Sequence, residues 1–283
     1  MHSRAARDDA ATTPATSPTT PPATVSRAAL PAPTQDLQQG LANLREYGVT
    51  IYPDALTGEL LARTREALFR EIEWDRNARR HVPHPFDAQG STNVRVWNLI
   101  SKDPLFEAMA THPVVMAYLR AVIGWPARIS TLSGNVNYPG SKACVLHADQ
   151  IWAPEPWAAV PQGINFGWCL DDFTPEKGST RVVPRSHLLN RLPRPDDLPG
   201  LEFVQVEAPA GSLLIFESRL WHQTGDFTAS DGVRAAIFGF YQKPIYTPAE
   251  NWYLQTRPEV LLRASDELRT LMGYAMDSLG MAN

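Results

Sequence analysis

Apolar residues change their period near the middle of the chain. Leu37, Leu41 and Leu44 recur at helical spacing, and Gly48 is placed to cap that helix at its C-terminus. Val49-Thr50-Ile51-Tyr52 then alternates as a strand does, until Pro53 interrupts it. A second helix is predicted over 57–74 through Leu60, Leu61, Thr64, Leu68 and Ile72, with Thr57 as its N-cap. A third, over 104–123, carries Phe106, Met109, Met116 and Leu119, with His112 before Pro113 as a boundary residue. Beyond Trp125 the period falls to two. Short apolar segments at 129–136, 143–148, 164–170, 180–183, 203–207, 212–217 and 234–241 are separated by Gly, Pro and Asp, with Glu176-Lys177-Gly178 a turn between two of them. Strands so short and evenly spaced predict a sandwich or barrel, a mainly β fold with flanking helices.

Upstream of Asp36 no such pattern exists. Residues 1–35 lack aromatic side chains and an apolar period, which predicts a disordered N-terminal tail followed by a single domain over 36–283. The tail has no continuous apolar stretch of the kind a signal peptide needs. No run approaches the roughly 18–20 apolar residues of a membrane span. With 26 Lys plus Arg against 30 Asp plus Glu the net charge is -4, and no basic stripe offers phosphates a footprint, so neither nucleic acid nor membrane is expected as a partner. Two cysteines, Cys144 and Cys169, sit among apolar neighbours. Reduced, buried thiols and a cytoplasmic location are expected, not a disulfide framework. Oligomeric state cannot be read from the sequence.

The chemistry concentrates in the strand region. In Leu146-His147-Ala148-Asp149-Gln150 an extended backbone would project His147 and Asp149 from one face. His222, in Leu220-Trp221-His222-Gln223, follows another strand and can complete a two-His-one-carboxylate triad, which leaves open positions on iron. Arg234, twelve residues on, opens the next strand, and its guanidinium fork suits the far carboxylate of a dicarboxylic acid. Each piece has a duller reading: a chance His-x-Asp, a hydrogen-bonded core histidine, a surface arginine. The order of the pieces favours the triad. Gln150, Trp152, Trp157 and Trp221 adjoin the ligands in sequence and are candidate substrate contacts, although tryptophans are more often core. His81 and His84, in a proline-containing loop, read as incidental or as part of a substrate lid.

Gly178-Ser179-Thr180-Arg181-Val182-Val183-Pro184-Arg185-Ser186-His187 resembles the Asn-Gly-Ala-Thr-x-x-x-Pro-Gly-Ser-His signature of the phytanoyl-CoA dioxygenase family. With the two ligand segments, the resemblance covers about residues 125–245, and Arg95-Val96-Trp97-Asn98-Leu99 extends it upstream. The segment at 133–140 is similar to bacterial members that tailor antibiotics and other secondary metabolites. The resemblance implies a double-stranded β-helix (cupin-like jelly roll) and Fe(II), 2-oxoglutarate and O2 as cofactor and cosubstrates. It further implies a small-molecule substrate and release of succinate and CO2. It makes Arg234 the anchor of 2-oxoglutarate and Thr180, Thr224 and Arg95 further contacts, while His187 belongs to a turn. Two departures stand out: Arg185 replaces the signature glycine, and Lys142-Ala143-Cys144 replaces a glutamine that many relatives carry, with Asn135 or Asn137 as substitutes. Related halogenases carry a small residue at the position of Asp149, so its presence favours hydroxylation, desaturation, ring formation or oxidative deamination over halogenation. Two other readings remain, a cupin-type metal enzyme without 2-oxoglutarate and a non-catalytic jelly-roll binding protein. Phytanoyl-CoA is not expected as the substrate, because the sequence shows no cluster suited to the CoA phosphates.

Overall fold

A computed structural model describes residues 29–78 and 87–275. In chain order these form α1 (Leu37–Tyr47), β1 (Val49–Tyr52), α2 (Gly58–Asn77), β2 (Val94–Val96), α3 (Pro104–Ala110), α4 (Pro113–Val122), β3 (Arg128–Asn137), β4 (Gly163–Cys169), β5 (Thr180–Val182), β6 (Val204–Gln205), β7 (Leu213–Glu217), β8 (His222–Thr224) and β9 (Arg234–Gln242). Short helices α5 (Trp252–Gln255), α6 (Pro258–Arg263) and α7 (Asp266–Met272) follow. Two antiparallel sheets result, a six-stranded one in the order β1-β7-β4-β9-β3-β2 and a three-stranded one in the order β6-β5-β8.

Side-chain parity decides what each face of the larger sheet does. One set, including Leu132, Val136, Phe166, Trp168, Ile215 and Ile237, is fully buried against the helical layer. At roughly 1.5–3 kcal/mol per buried large apolar side chain, this layer is the main source of stability. The opposite set, with Val49, Ile51, Leu214 and Phe216, meets Val182, Val206 and Phe173 on the side of the smaller sheet. Further along that inner face the residues turn polar: Ser133 and Asn135 pair with Phe238 and Ala236, and Arg95 lies opposite Asn135. The apolar contact gives way there to a cavity. This arrangement is the predicted jelly roll with flanking helices.

Most predicted elements appear, and the differences have physical causes. Gly48 takes the left-handed C-cap conformation (φ 80°) after α1, where an added Cβ would also stand 2.7 Å from His187 Nδ1. Thr57 is the N-cap of α2, but its side chain makes no capping bond. The predicted third helix is two, because Pro113 has no N–H to donate and must start a helix anew; His112 caps the second, its Nδ1 accepting from Val114 N at 3.3 Å. The packed chain also begins earlier than Asp36. Leu30 packs against the inner-face cluster, and Thr34 N donates to Ile51 O at 2.9 Å. Segment 143–148 forms no strand among the described residues, only an isolated bridge at His147. Residues 1–28, His81 and His84 lie outside the described residues.

Candidate active site

Backbone pairing brings the two histidines together. His147 N donates to His222 O at 3.1 Å and His222 N to His147 O at 2.8 Å, an antiparallel bridge that sets the imidazole centroids 4.4 Å apart. Ala148 is still extended (φ -126°, ψ 146°), so Asp149 emerges on the same side as His147 before the chain coils into a single 3-10 turn, Asp149–Trp152. The i, i+2 expectation therefore holds without a regular strand. Asp149 Oδ1 lies 3.7 Å from His147 Nε2 and Oδ2 lies 3.6 Å from His222 Nε2. One ligand atom from each of the three can fall within 4.8 Å of the others.

The surroundings prepare these atoms for a cation. Each histidine Nδ1 faces a backbone carbonyl, His147 that of Val145 at 2.7 Å and His222 that of Leu220 at 2.9 Å. Both rings are thereby fixed as Nδ1–H tautomers, with the Nε2 lone pairs turned to the shared point. Burial holds the His222 pKa down at about 4, which keeps its imidazole neutral and able to ligate. Asn165 Nδ2 donates to Asp149 Oδ2 and fixes the carboxylate from β4. Sequence reasoning missed Asn165, although it is the one side-chain amide in the otherwise apolar run Gly163–Cys169. Two imidazoles with their Nε2 atoms on a shared point and an anchored carboxylate make a donor set that fits iron(II).

Beside the triad lies a cavity of about 290 Å³. Thr180 and Thr224 face each other across β5 and β8, and both line it. Arg95 and Asn135 line it from β2 and β3. Arg95 is already matched: its Nη2 lies 3.0 Å from Asp87 Oδ1. Arg234, on the same inner face, is not. It is 1% exposed, its Nη2 donates to Asn135 Oδ1 at 3.3 Å, its guanidinium lies 4.8 Å from the Phe173 ring centroid, and its Nε has no partner. Burial pulls its pKa down to about 10. A buried guanidinium without a carboxylate costs several kcal/mol unless an anion arrives, so of the two arginines Arg234 is the one that calls for an acid. Cys144 lines the cavity and accepts from Thr224 N at 3.1 Å.

The candidate substrate contacts divide by the same parity. Trp152 lines the cavity and stacks on Tyr246, centroids 4.0 Å apart. Gln150 and Trp221 are immediate neighbours of ligands and so point away from them. Gln150 accepts from Ser218 Oγ at 2.8 Å in the packed interior, and Trp221 Nε1 donates to Arg191 O at 2.8 Å. Trp157 packs with Trp221, Ala148 and Val183, its Nε1 bonded to Ala153 O at 3.0 Å. The structure brings none of these three to the cavity. His187 is buried at a turn, with Nε2 3.1 Å from Arg45 O, as a structural residue would be. Arg185 keeps the left-handed conformation of the glycine it replaces (φ 68°); its Nη2 lies 2.6 Å from Glu46 and its guanidinium 4.8 Å from the Tyr47 ring, contacts that offset the strain.

A His/Asp/His set of this kind in a jelly roll fits the non-haem iron(II) oxygenases as a class. Residues 44–236 match the phytanoyl-CoA dioxygenase family. The chain is 30% identical over 247 residues to dioxygenase af480 of Aspergillus fumigatus, covering 86% of this chain and 78% of that protein. Among solved structures it resembles HygX from Streptomyces hygroscopicus, determined with nickel, 2-oxoglutarate and hygromycin B (TM-score 0.61, 19% identity, 75% of this chain and 89% of that one). It also resembles the α-ketoglutarate-dependent carbocyclase SnoK of nogalamycin biosynthesis (TM-score 0.61, 21% identity, 75% and 87%). The chain belongs to the phytanoyl-CoA dioxygenase family and is a 2-oxoglutarate-dependent dioxygenase.

Proposed function

We propose that this dioxygenase oxidises an unactivated C–H bond of a small molecule, most simply by hydroxylation, in secondary metabolism. His147, Asp149 and His222 hold the iron, and Arg234 anchors 2-oxoglutarate. The carrying observation is the pairing of a preformed triad, with ligand atoms within 4.8 Å of one another, with a buried arginine that lacks an acidic partner. When bound, iron(II) would activate O2, the oxidant, with 2-oxoglutarate giving up two electrons as it becomes succinate and CO2 and the substrate giving up the other two.

The protein's own groups bind and orient. The Nδ1–carbonyl bonds hold both imidazoles in the ligating tautomer, and Asn165 keeps Asp149 from rotating away. Arg234 takes the distal carboxylate of 2-oxoglutarate, with Asn135 steadying its Nη2. Thr180, Thr224 and the Asp87-paired Arg95 complete the polar end. The free acid-seeking Arg234 favours this reading over a cupin enzyme without 2-oxoglutarate, and the intact triad favours it over a binding protein. Asp149 fills the position that a halogenase would leave open. The secondary-metabolic setting is supported by the solved neighbours, SnoK from nogalamycin biosynthesis and HygX with hygromycin B bound. A cytoplasmic location accords with two buried free thiols, and no helix among the described residues is long and apolar enough to cross a membrane.

Anaerobic titration with Fe(II), followed by oxygen and 2-oxoglutarate, tests the assignment. One equivalent of iron and iron-dependent succinate formation are expected, both lost in His147→Ala, Asp149→Ala and His222→Ala while circular dichroism is unchanged. Iron binding as tight in all three variants as in wild type would overturn the triad.

A further inference from the structure

The cavity wall is divided along its length. The end near Arg234 carries Asn135, Thr180, Thr224 and Arg95. Six residues along β9, roughly 20 Å at strand rise, Phe240 stands opposite Thr131 and Asn165. Around it the wall is built from Trp97, Trp152, Ile151, Phe238 and Ala249. Trp152 is clamped between Tyr246 and Phe240, at ring-centroid distances of 4.0 and 6.4 Å.

Charge is the deciding feature. Among the described residues, Arg95 and Asp149 are the only Lys, Arg, Asp or Glu side chains that line the wall. Arg95 is neutralised by Asp87, and Asp149 belongs to the triad and Asn165. Ser130 spends its Oγ on Ala249 N at 3.0 Å. What remains for a ligand at this end is aromatic surface and the neutral hydroxyls of Thr131, Ser133 and Thr247. An ionised group entering here would lose its hydration without gaining a counter-charge, a cost of several kcal/mol. An apolar ring would instead gain stacking and transfer energy.

Building on the dioxygenase reading, we infer that the primary substrate is an uncharged, ring-bearing, mainly apolar molecule whose oxygens are hydroxyl or carbonyl. Polycations such as aminoglycosides and polyanions such as CoA thioesters are excluded by the same wall. The aromatic surface built from Trp152 and Phe240 selects for the ring, and the three hydroxyls accept or donate a neutral hydrogen bond.

Matched probes separate charge from shape. Camphor, camphor-10-sulfonate and bornylamine share one skeleton; 1-adamantanol, 1-adamantanecarboxylate and 1-adamantylamine share another. Their affinities are measured by calorimetry on anaerobic protein loaded with Fe(II) and 2-oxoglutarate. The neutral member of at least one series binds, and its charged counterparts bind at least tenfold more weakly. Thr131→Asp reverses the order in favour of the amine by a similar factor, and Trp152→Ala weakens the neutral probe tenfold. The inference is overturned if either ion matches its neutral counterpart, if no neutral probe binds at millimolar concentration, or if neither variant alters neutral-probe affinity. Consumption of 2-oxoglutarate, followed separately, judges the dioxygenase reading: a protein that binds the neutral probes but never consumes 2-oxoglutarate refutes that reading and leaves this one standing.

Discussion

Arg234→Met separates two consequences of a buried charge that lacks an acid. Burial lowers the Arg234 pKa from 12.5 to about 10, which corresponds to roughly 3 kcal/mol against the charged native state at neutral pH. Methionine fills most of the volume without the charge. Loss of the Asn135 bond and the Phe173 contact returns about 1 kcal/mol. The ligand-free variant should therefore be more stable than wild type by about 2 kcal/mol, a rise in Tm of roughly 5 °C. The same change leaves the far carboxylate of 2-oxoglutarate without its charge-assisted donor. Removing one side of a buried pair costs about 3–4 kcal/mol, so the apparent KM for 2-oxoglutarate should rise a hundredfold or more. Scanning fluorimetry with and without 2-oxoglutarate, beside initial rates of its consumption, reads both effects. The thermal shift caused by 2-oxoglutarate in wild type should vanish as the baseline Tm climbs. A lowered baseline Tm with an unchanged KM would refute the reasoning.

Other perturbations follow from the fold. The Glu250 carboxyl accepts from Asn98 N at 2.7 Å and Leu132 N at 3.3 Å, and burial pushes its pKa up to about 7. A raised carboxyl pKa gives stability that is full below the unfolded value near 4.5 and is lost as pH rises through 7. Glu250→Gln should flatten the fall in Tm between pH 5 and 8, removing a component of at most about 3 kcal/mol; an unaltered slope would show that Glu250 ionises freely. Gly48→Ala should cost about 2 kcal/mol or more in urea unfolding, from the left-handed φ of 80° and the 2.7 Å approach to His187. Deleting residues 1–35 should lower Tm while deleting 1–28 does not, because only the longer cut removes Leu30 and the Thr34–Ile51 bond; equal Tm values for the two truncations would count against that packing.

The triad was legible because its residues obey strand parity even where no strand forms. His147 and Asp149 share a side since Ala148 stays extended. The same rule, applied one residue either way, would have removed Gln150 and Trp221 from the substrate candidates. Trp157 could not be placed so, since its environment depends on contacts with Trp221 and Val183, far along the chain. At 104–123 helix periodicity predicts one element, yet the missing N–H of Pro113 forces a restart. Arg95 and Arg234 look alike in sequence. What separates them is Asp87, which matches one and not the other, and that is a fact of three dimensions.

Two glycines on β4 lie beneath the aromatic end of the cavity. A Cβ at Gly163 would stand 2.7 Å from the Phe240 ring and 2.8 Å from the Tyr241 carbonyl oxygen, and that backbone atom has little room to retreat. At Gly167 the obstacle is Phe238 alone, 2.6 Å away at its nearest atom. Alanine there would tilt that ring by about 0.8 Å to regain ordinary 3.4 Å contact and raise it into the chamber. Chamber depth is thus written partly in the backbone behind the rings. One methyl group at position 167 offers evolution or an engineer a way to change which substrates enter while every side chain that faces the ligand keeps its identity.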